Sequence, residues 1–249
     1  MTRFVALALT TSAVAAATLL APSPVQAQDQ RATKQVYEYK VEHPLYGDIG
    51  TYTNIVARSG DAAEVETQLR IAVKMLGIVV HREEAERNEH WLRDRLTLFH
   101  SRTLINGAPE EVSGEAQGNG FIITSPRGTV TAPATVRPSN PWSPAILDSN
   151  VIMSTKSGRL FNMRIASQTE LPITVDGQTK HLRRYEIVGD KRQFVWMDEH
   201  GVPLAFSTEE GGSPVVFVLT RYPSGEPQNW PGPKLERPAG AQQQAFNPY

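Results

Sequence analysis

Between Val65 and Met75 the dry residues recur at every second position: Val65, Thr67, Leu69, Ile71, Val73 and Met75. Glu64 precedes them, and Glu66, Gln68, Arg70 and Lys74 fall between them. A period of two is that of a strand with one buried and one wet face, whereas a helical stripe recurs at 3.6. At about 3.3 Å per residue a run of this kind is roughly 40 Å long. Strands of that length suit a strongly curved sheet or a barrel wall better than a compact sandwich.

The C-terminal half repeats the message with shorter strands. His181–Val188, Arg192–Met197, Pro203–Thr208 and Val215–Leu219 are four β-type runs. Gly189-Asp190, Asp198–Gly201 and Glu209–Gly212 separate them, as the turns of an antiparallel meander. Further strands are expected at Gln35–Val41, Ile49–Arg58, Ile78–His81, Leu96–Ile105, Glu110–Ala116, Gly120–Thr124, Thr129–Ala132, Arg159–Ser167 and Leu171–Val175. Asn106-Gly107 and Asp176-Gly177 are strong hairpin signals. Arg82–Arg95 admits one short helix or a charged strand, and the short connections on either side favour the strand. Pro133–Pro144 holds four prolines and Trp142; it reads as a long ordered loop, with a helical turn expected in Ala145–Thr155. The fold class is therefore all-β: an antiparallel, strongly curved meander forming a half-barrel or open β-barrel, with at most one or two short helices.

The ends have a different character. Met1-Thr-Arg3, an apolar Phe4–Ala21 and Pro22–Ala27 have the form of a secretory signal cleaved after Ala27. No membrane span is expected after cleavage. Residues 28–34 form a flexible lead-in, 35–222 a single β domain, and 223–249 a Pro/Gln-rich disordered tail. The protein is thus expected to be exported, and periplasmic. With no cysteine in the chain, an exported domain must hold itself by its core alone. A domain near 200 residues can do so, burying about 70% of its unfolded surface. Lys+Arg 25 against Asp+Glu 26 leaves no basic excess for nucleic acid.

Certain residues look familiar. Tyr37-Glu-Tyr39 precedes Gly47-Asp-Ile-Gly50. Trp91–Leu96, Asn106-Gly107 and Pro141-Trp142 follow. Tyr185–Asp190 then leads to Trp196–Gly201. Over about residues 35–222 the chain resembles proteobacterial periplasmic proteins classed as a domain of unknown function. The resemblance implies a β half-barrel, similar in architecture to envelope lipoprotein carriers, where a curved sheet cups acyl chains.

Candidate chemistry is sparse. His81, Glu83, Glu84, Glu86, Glu89 and His90 are the densest group of potential ligands, but in a strand His81 and His90 face opposite ways, and no HExxH occurs. A solvated charged strand is the plain alternative. His100 reads as a core histidine, and Asp198-Glu-His-Gly201 as a polar turn. Neither has a named nucleophile beside it, so a hydrolase is the weakest of three readings. No cofactor is expected. The last strand is apolar on both faces: Val215, Phe217 and Leu219 on one, Val216 and Val218 on the other. One face needs a covering, supplied by the Trp142 loop, a ligand or a partner. The leading expectation is non-enzymatic binding of a lipid or other hydrophobic molecule on a concave face lined by Tyr39, Leu69, Ile71, Trp142, Phe194, Trp196 and Phe217. The alternative is an interaction module of an envelope assembly that docks through its tail.

Overall fold

Each sequence turn closes a hairpin in the structure, a computed structural model that describes residues 33–210 and 212–234. Eight strands come first: β1 (Thr33–His43), β2 (Gly47–Ser59), β3 (Ala62–Met75), β4 (Ile78–Leu92), β5 (Arg95–Ile105), β6 (Ala108–Gln117), β7 (Gly120–Ser125) and β8 (Gly128–Pro133). A connection follows that holds the short strands β9 (Arg137–Pro138), β10 (Val151–Met153) and β11 (Leu160–Asn162), with a 3-10 turn at Pro144–Asp148. Five strands complete the domain: β12 (Arg164–Val175), β13 (Gln178–Val188), β14 (Arg192–Met197), β15 (Pro203–Glu210) and β16 (Ser213–Arg221).

The two meanders fuse into one sheet because the last strand pairs with the first. The order is β12-β13-β14-β15-β16-β1-β2-β3-β4-β5-β6-β7-β8, thirteen strands, all neighbours antiparallel. The long β3 and β4 pair along their whole length, Ala62 opposite Leu92 and Met75 opposite Ile78. Residues from both ends of this order line one cavity, Ile105 of β5 and Ile187 of β13 among them, so the sheet curls on itself. The expected half-barrel class is what the chain adopts.

Local chemistry explains the turns. Asn106 and Gly107 both take positive φ (50° and 88°), as do Asp176 and Gly177 (52° and 75°), the backbone of a tight hairpin turn. The β4–β5 turn achieves the same conformation without glycine: Arg93 and Asp94 stand at φ 48° and 60°. It is tied down by Arg93, whose backbone N–H donates to Asp61 O and whose Nε donates to Asp61 Oδ2, both at 2.9 Å. Arg82–Arg95 is accordingly strand, turn and the start of the next strand. Gly50 marks a place where two backbones nearly touch. A Cβ there would lie 2.0 Å from the Arg70 carbonyl oxygen of β3. Gly50→Ala is expected to cost about 2–3 kcal/mol by forcing β2 from β3, measured by urea unfolding; a cost below about 0.5 kcal/mol, the scale of an ordinary surface change, would contradict this close contact.

Topology then dictates the interior. β8 and β12 are the two edges of the sheet, so the chain between them, residues 134–163, must travel from one edge to the other. It does so through the inside of the curl, burying Val136, Asn140, Trp142, Ile146, Ile152 and Met153. Its β9 and β10 pair in parallel, the exception to the antiparallel pattern, and β10 pairs with β11. The Pro-rich segment is ordered, as expected, and forms part of a plug inside the domain.

Two boundaries differ from expectation. Thr33 and Lys34, expected in a flexible lead-in, already pair with Arg58 and Ala57. The disordered tail expected from Pro223 does not begin there: residues 223–234 fold back on the outside of the sheet. Pro227 bridges to Arg221, Gln228 N–H donates to Thr220 O at 3.0 Å, Asn229 Nδ2 to Asp176 Oδ2 at 2.8 Å, and Trp230 is buried. Gly232 lies against Val218, where a Cβ would meet Val218 Cγ2 at 2.6 Å. The second apolar face of β16 is therefore covered at Val218 by the chain's own segment, whose Trp230 is withdrawn from water. The expected signal peptide 1–27, the rest of the lead-in and tail residues 235–249 lie outside the described residues.

Candidate functional site

The floor of the curled sheet carries a buried polar network, and the plug hangs from it. β4 presents His81, Ala85, Arg87, Glu89 and Trp91 inward, all buried. Glu89, 1% exposed, accepts three hydrogen bonds: from Asn140 Nδ2 at 2.8 Å, Trp91 Nε1 at 2.9 Å and Trp142 Nε1 at 3.0 Å. Three donors on two oxygens fit an ionised carboxylate, which only accepts. Burial pushes this carboxyl up from its ordinary value, while the three donors and the nearby Arg87 pull it down. Asn140 also accepts from Tyr52 Oη at 2.6 Å and Asn54 Nδ2 at 3.1 Å, and donates to Thr67 Oγ1 at 3.1 Å. Burial pushes the Tyr52 hydroxyl up to about 12, so it stays protonated and donates.

Cations flank the two indoles. Arg58 stands 5.1 Å from the Trp142 ring centre and Arg137 4.8 Å from that of Trp91, within the range of cation–π attraction. The rings themselves meet edge to face at 5.9 Å. Trp142 is thus held by Glu89, Trp91 and Arg58.

Beside this network, between sheet and plug, lies a cavity of about 400 Å³. Its apolar wall is Tyr52 of β2, Leu69 and Ile71 of β3, Val195 of β14, Phe206 of β15 and Phe217 of β16. Phe206 and Phe217 stack at 4.4 Å, and Tyr52 meets both edge-on at 5.6 and 5.3 Å. Ser139, Pro141, Ile146 and Phe161 of the plug close the other side.

Of the seven residues expected to line a ligand site, Leu69, Ile71 and Phe217 line this cavity. Tyr39 packs edge-on to Tyr52 and Phe206, its hydroxyl donating to Pro203 O at 3.0 Å. Trp142 belongs to the plug's anchor and does not line the cavity. Phe194 and Trp196 stand on the outer face: Val195 between them faces in, opposite Phe206, while Trp196 faces Ala205 and Val218 beyond it. Sequence alternation shows that two residues share a face, but not which face is inside.

The histidines sort as follows. His81 is buried and His90 half exposed beside Glu64, on opposite faces of β4. His100 is not a core residue: it is exposed, because a register shift opposite His90/Trp91 turns Leu96 and Phe99 inward and His100 out. Asp198 Oδ1 accepts from the His200 and Val202 N–H groups at 2.9 and 2.8 Å, which makes residues 198–201 a polar turn. Neither His100 nor His200 lines the cavity.

Fold and site together define an all-β protein that wraps one curved antiparallel sheet around an internal plug and a cavity. The chain belongs to the family described as domain of unknown function DUF6134, whose model matches residues 47–220. No curated protein matches it. Among solved structures it is similar to the crystal structure of a beta-barrel-like protein of domain of unknown function DUF1849 from Brucella abortus. The TM-score is 0.54 at 7% identity, covering 76% of this chain and 95% of that one. At that identity the likeness speaks for the fold alone.

Proposed function

We propose that this protein is exported and holds, without chemistry of its own, a lipid or other hydrophobic small molecule in the cavity between sheet and plug. One observation carries this: about 400 Å³ of interior space walled by Tyr52, Leu69, Ile71, Val195, Phe206 and Phe217. Apolar walls with a few placed polar groups are the usual form of a ligand pocket, and this volume is in its range. Affinity would come from apolar area removed from water, roughly 25 cal/mol per Å² before ordering costs.

The test uses the full chain with its leader. The exported form should begin at Gln28, and organic extraction followed by mass spectrometry should recover about one amphiphile per protein. N-phenyl-1-naphthylamine, an apolar dye, should bind to the emptied protein. Leu69→Trp, which builds an indole into the cavity wall, should weaken the dye about tenfold, some 1.4 kcal/mol, while the unfolding midpoint stays close to that of the parent. A parent protein that carries no amphiphile and takes up no dye would refute the reading.

A further inference from the structure

One charge on the cavity floor is left without a hydrogen-bonded partner by the protein itself. Arg87 is 7% exposed and lines the cavity from the inner face of β4. Its Nε meets no acceptor. Glu89, the carboxylate whose field it feels two positions along, is already committed to Asn140, Trp91 and Trp142. On the neighbouring strand Ser101, directly across from Arg87, and Thr103 have buried hydroxyls that also meet no partner. Buried polar atoms are satisfied in the great majority of cases, and a buried cation is costly without hydrogen bonds. Of these three, Arg87 lines the cavity, and its unsatisfied guanidinium marks a place where something from outside the chain can bond.

The chemistry of that partner follows from its surroundings. A guanidinium offers a planar fork of donors that matches a carboxylate or phosphate. The lining of the cavity carries both signs: Lys156 is paired with Glu83 at 3.0 Å, Arg159 with Asp190, and Arg127, Lys191 and Glu110 also line it. Among these charges Arg87 is the buried one, where water and salt screen it least. Leu69 and Ile71 of the adjacent β3 share the cavity wall with it, together with Phe206 and Phe217 of β15 and β16. We infer that the ligand is an anionic amphiphile, its carboxylate or phosphate head bound by Arg87 and its apolar chain laid against those four residues. This rests on the ligand-binding reading above and gives it a head group.

Three ligands with one ten-carbon chain test it, each kept below its micelle threshold and titrated calorimetrically into the emptied full chain: decanoate, decyl phosphate and 1-decanol. At least one anion should bind roughly tenfold to a hundredfold more tightly than the alcohol, the worth of a charged hydrogen bond. The tighter anion identifies the head group. Arg87→Met should reduce the anions to the affinity of decanol and leave decanol unchanged, and Arg87→Lys should keep part of the preference. If decanol binds the parent as well as both anions do, Arg87 is not the anchor and the cavity reading stands. If none of the three binds, both readings fall. The parent comparison decides the matter even if Arg87→Met does not fold.

Discussion

Replacing Glu89 by alanine is expected to remove about 3–5 kcal/mol of stability, the scale of breaking a buried charged network. In a domain of this size that lowers the unfolding midpoint by roughly 10 °C. The reason is the number of groups stranded. Asn140 Nδ2, Trp91 Nε1 and Trp142 Nε1 each lose their acceptor at a buried site, and Arg87 loses the nearby charge of this carboxylate. Glu89→Gln should cost less, because its carbonyl can still accept from both indoles while only the bond to Asn140 is compromised. The pair also separates by pH. Burial raises the folded-state pKa of Glu89 above its ordinary 4.5, so its contribution is complete below that value and is lost as pH rises through the folded pKa. The margin of the parent over Glu89→Gln should therefore be larger at pH 4 than at pH 7. A margin that grows with pH would show that the three donors outweigh burial. A loss under about 1 kcal/mol for Glu89→Ala, no more than one ordinary hydrogen bond, would show that the plug does not depend on this carboxylate.

That network was the part of the protein least visible in the sequence, while most of the fold was plain. The meander at His181–Leu219 became β13 to β16 because every turn in it is announced by glycine or a polar cluster and every strand by β-branched or aromatic residues. β3 declared itself by strict alternation. β4 did not, for two physical reasons. Its inner face holds Arg87 and Glu89 among His81, Ala85 and Trp91, so the apolar period is broken where the polar network is built. Its closing turn, Arg93-Asp94, takes left-handed backbone without a glycine to signal it. The network itself joins Tyr52, Asn54, Thr67, Glu89 and Asn140, which only the folded sheet brings together. The cavity wall was half legible for a related reason. Leu69, Ile71 and Phe217 point inward, yet Phe194 and Trp196, equally aromatic and equally alternating, point outward. The sign of a face is set by which strand lies next to which, and that requires β16 to find β1.

Trp142 is where a binding residue and a structural one make opposite predictions. As a wall residue, its removal would weaken a ligand and leave stability nearly intact. As the anchor described here, Trp142→Ala should cost about 3–5 kcal/mol, the range for deleting a buried aromatic, and should loosen residues 134–163 before the rest of the domain unfolds. Amide exchange in Arg137–Met153 should speed up while that of β2 and β3 stays slow, and a protease should cut first between 134 and 163. The effect is also coupled. Trp142 reaches the sheet through the same Glu89 oxygen that Trp91 uses, so the double variant Glu89→Ala/Trp142→Ala should lose less than the two single losses combined, by about 1 kcal/mol or more. Additive losses would mean that the indole is held by packing against Trp91 and Arg58 alone, and that Glu89 serves Asn140. Non-additive losses would make the carboxylate the single point on which the plug hangs, and place control of the cavity's closed side at a residue that does not line it.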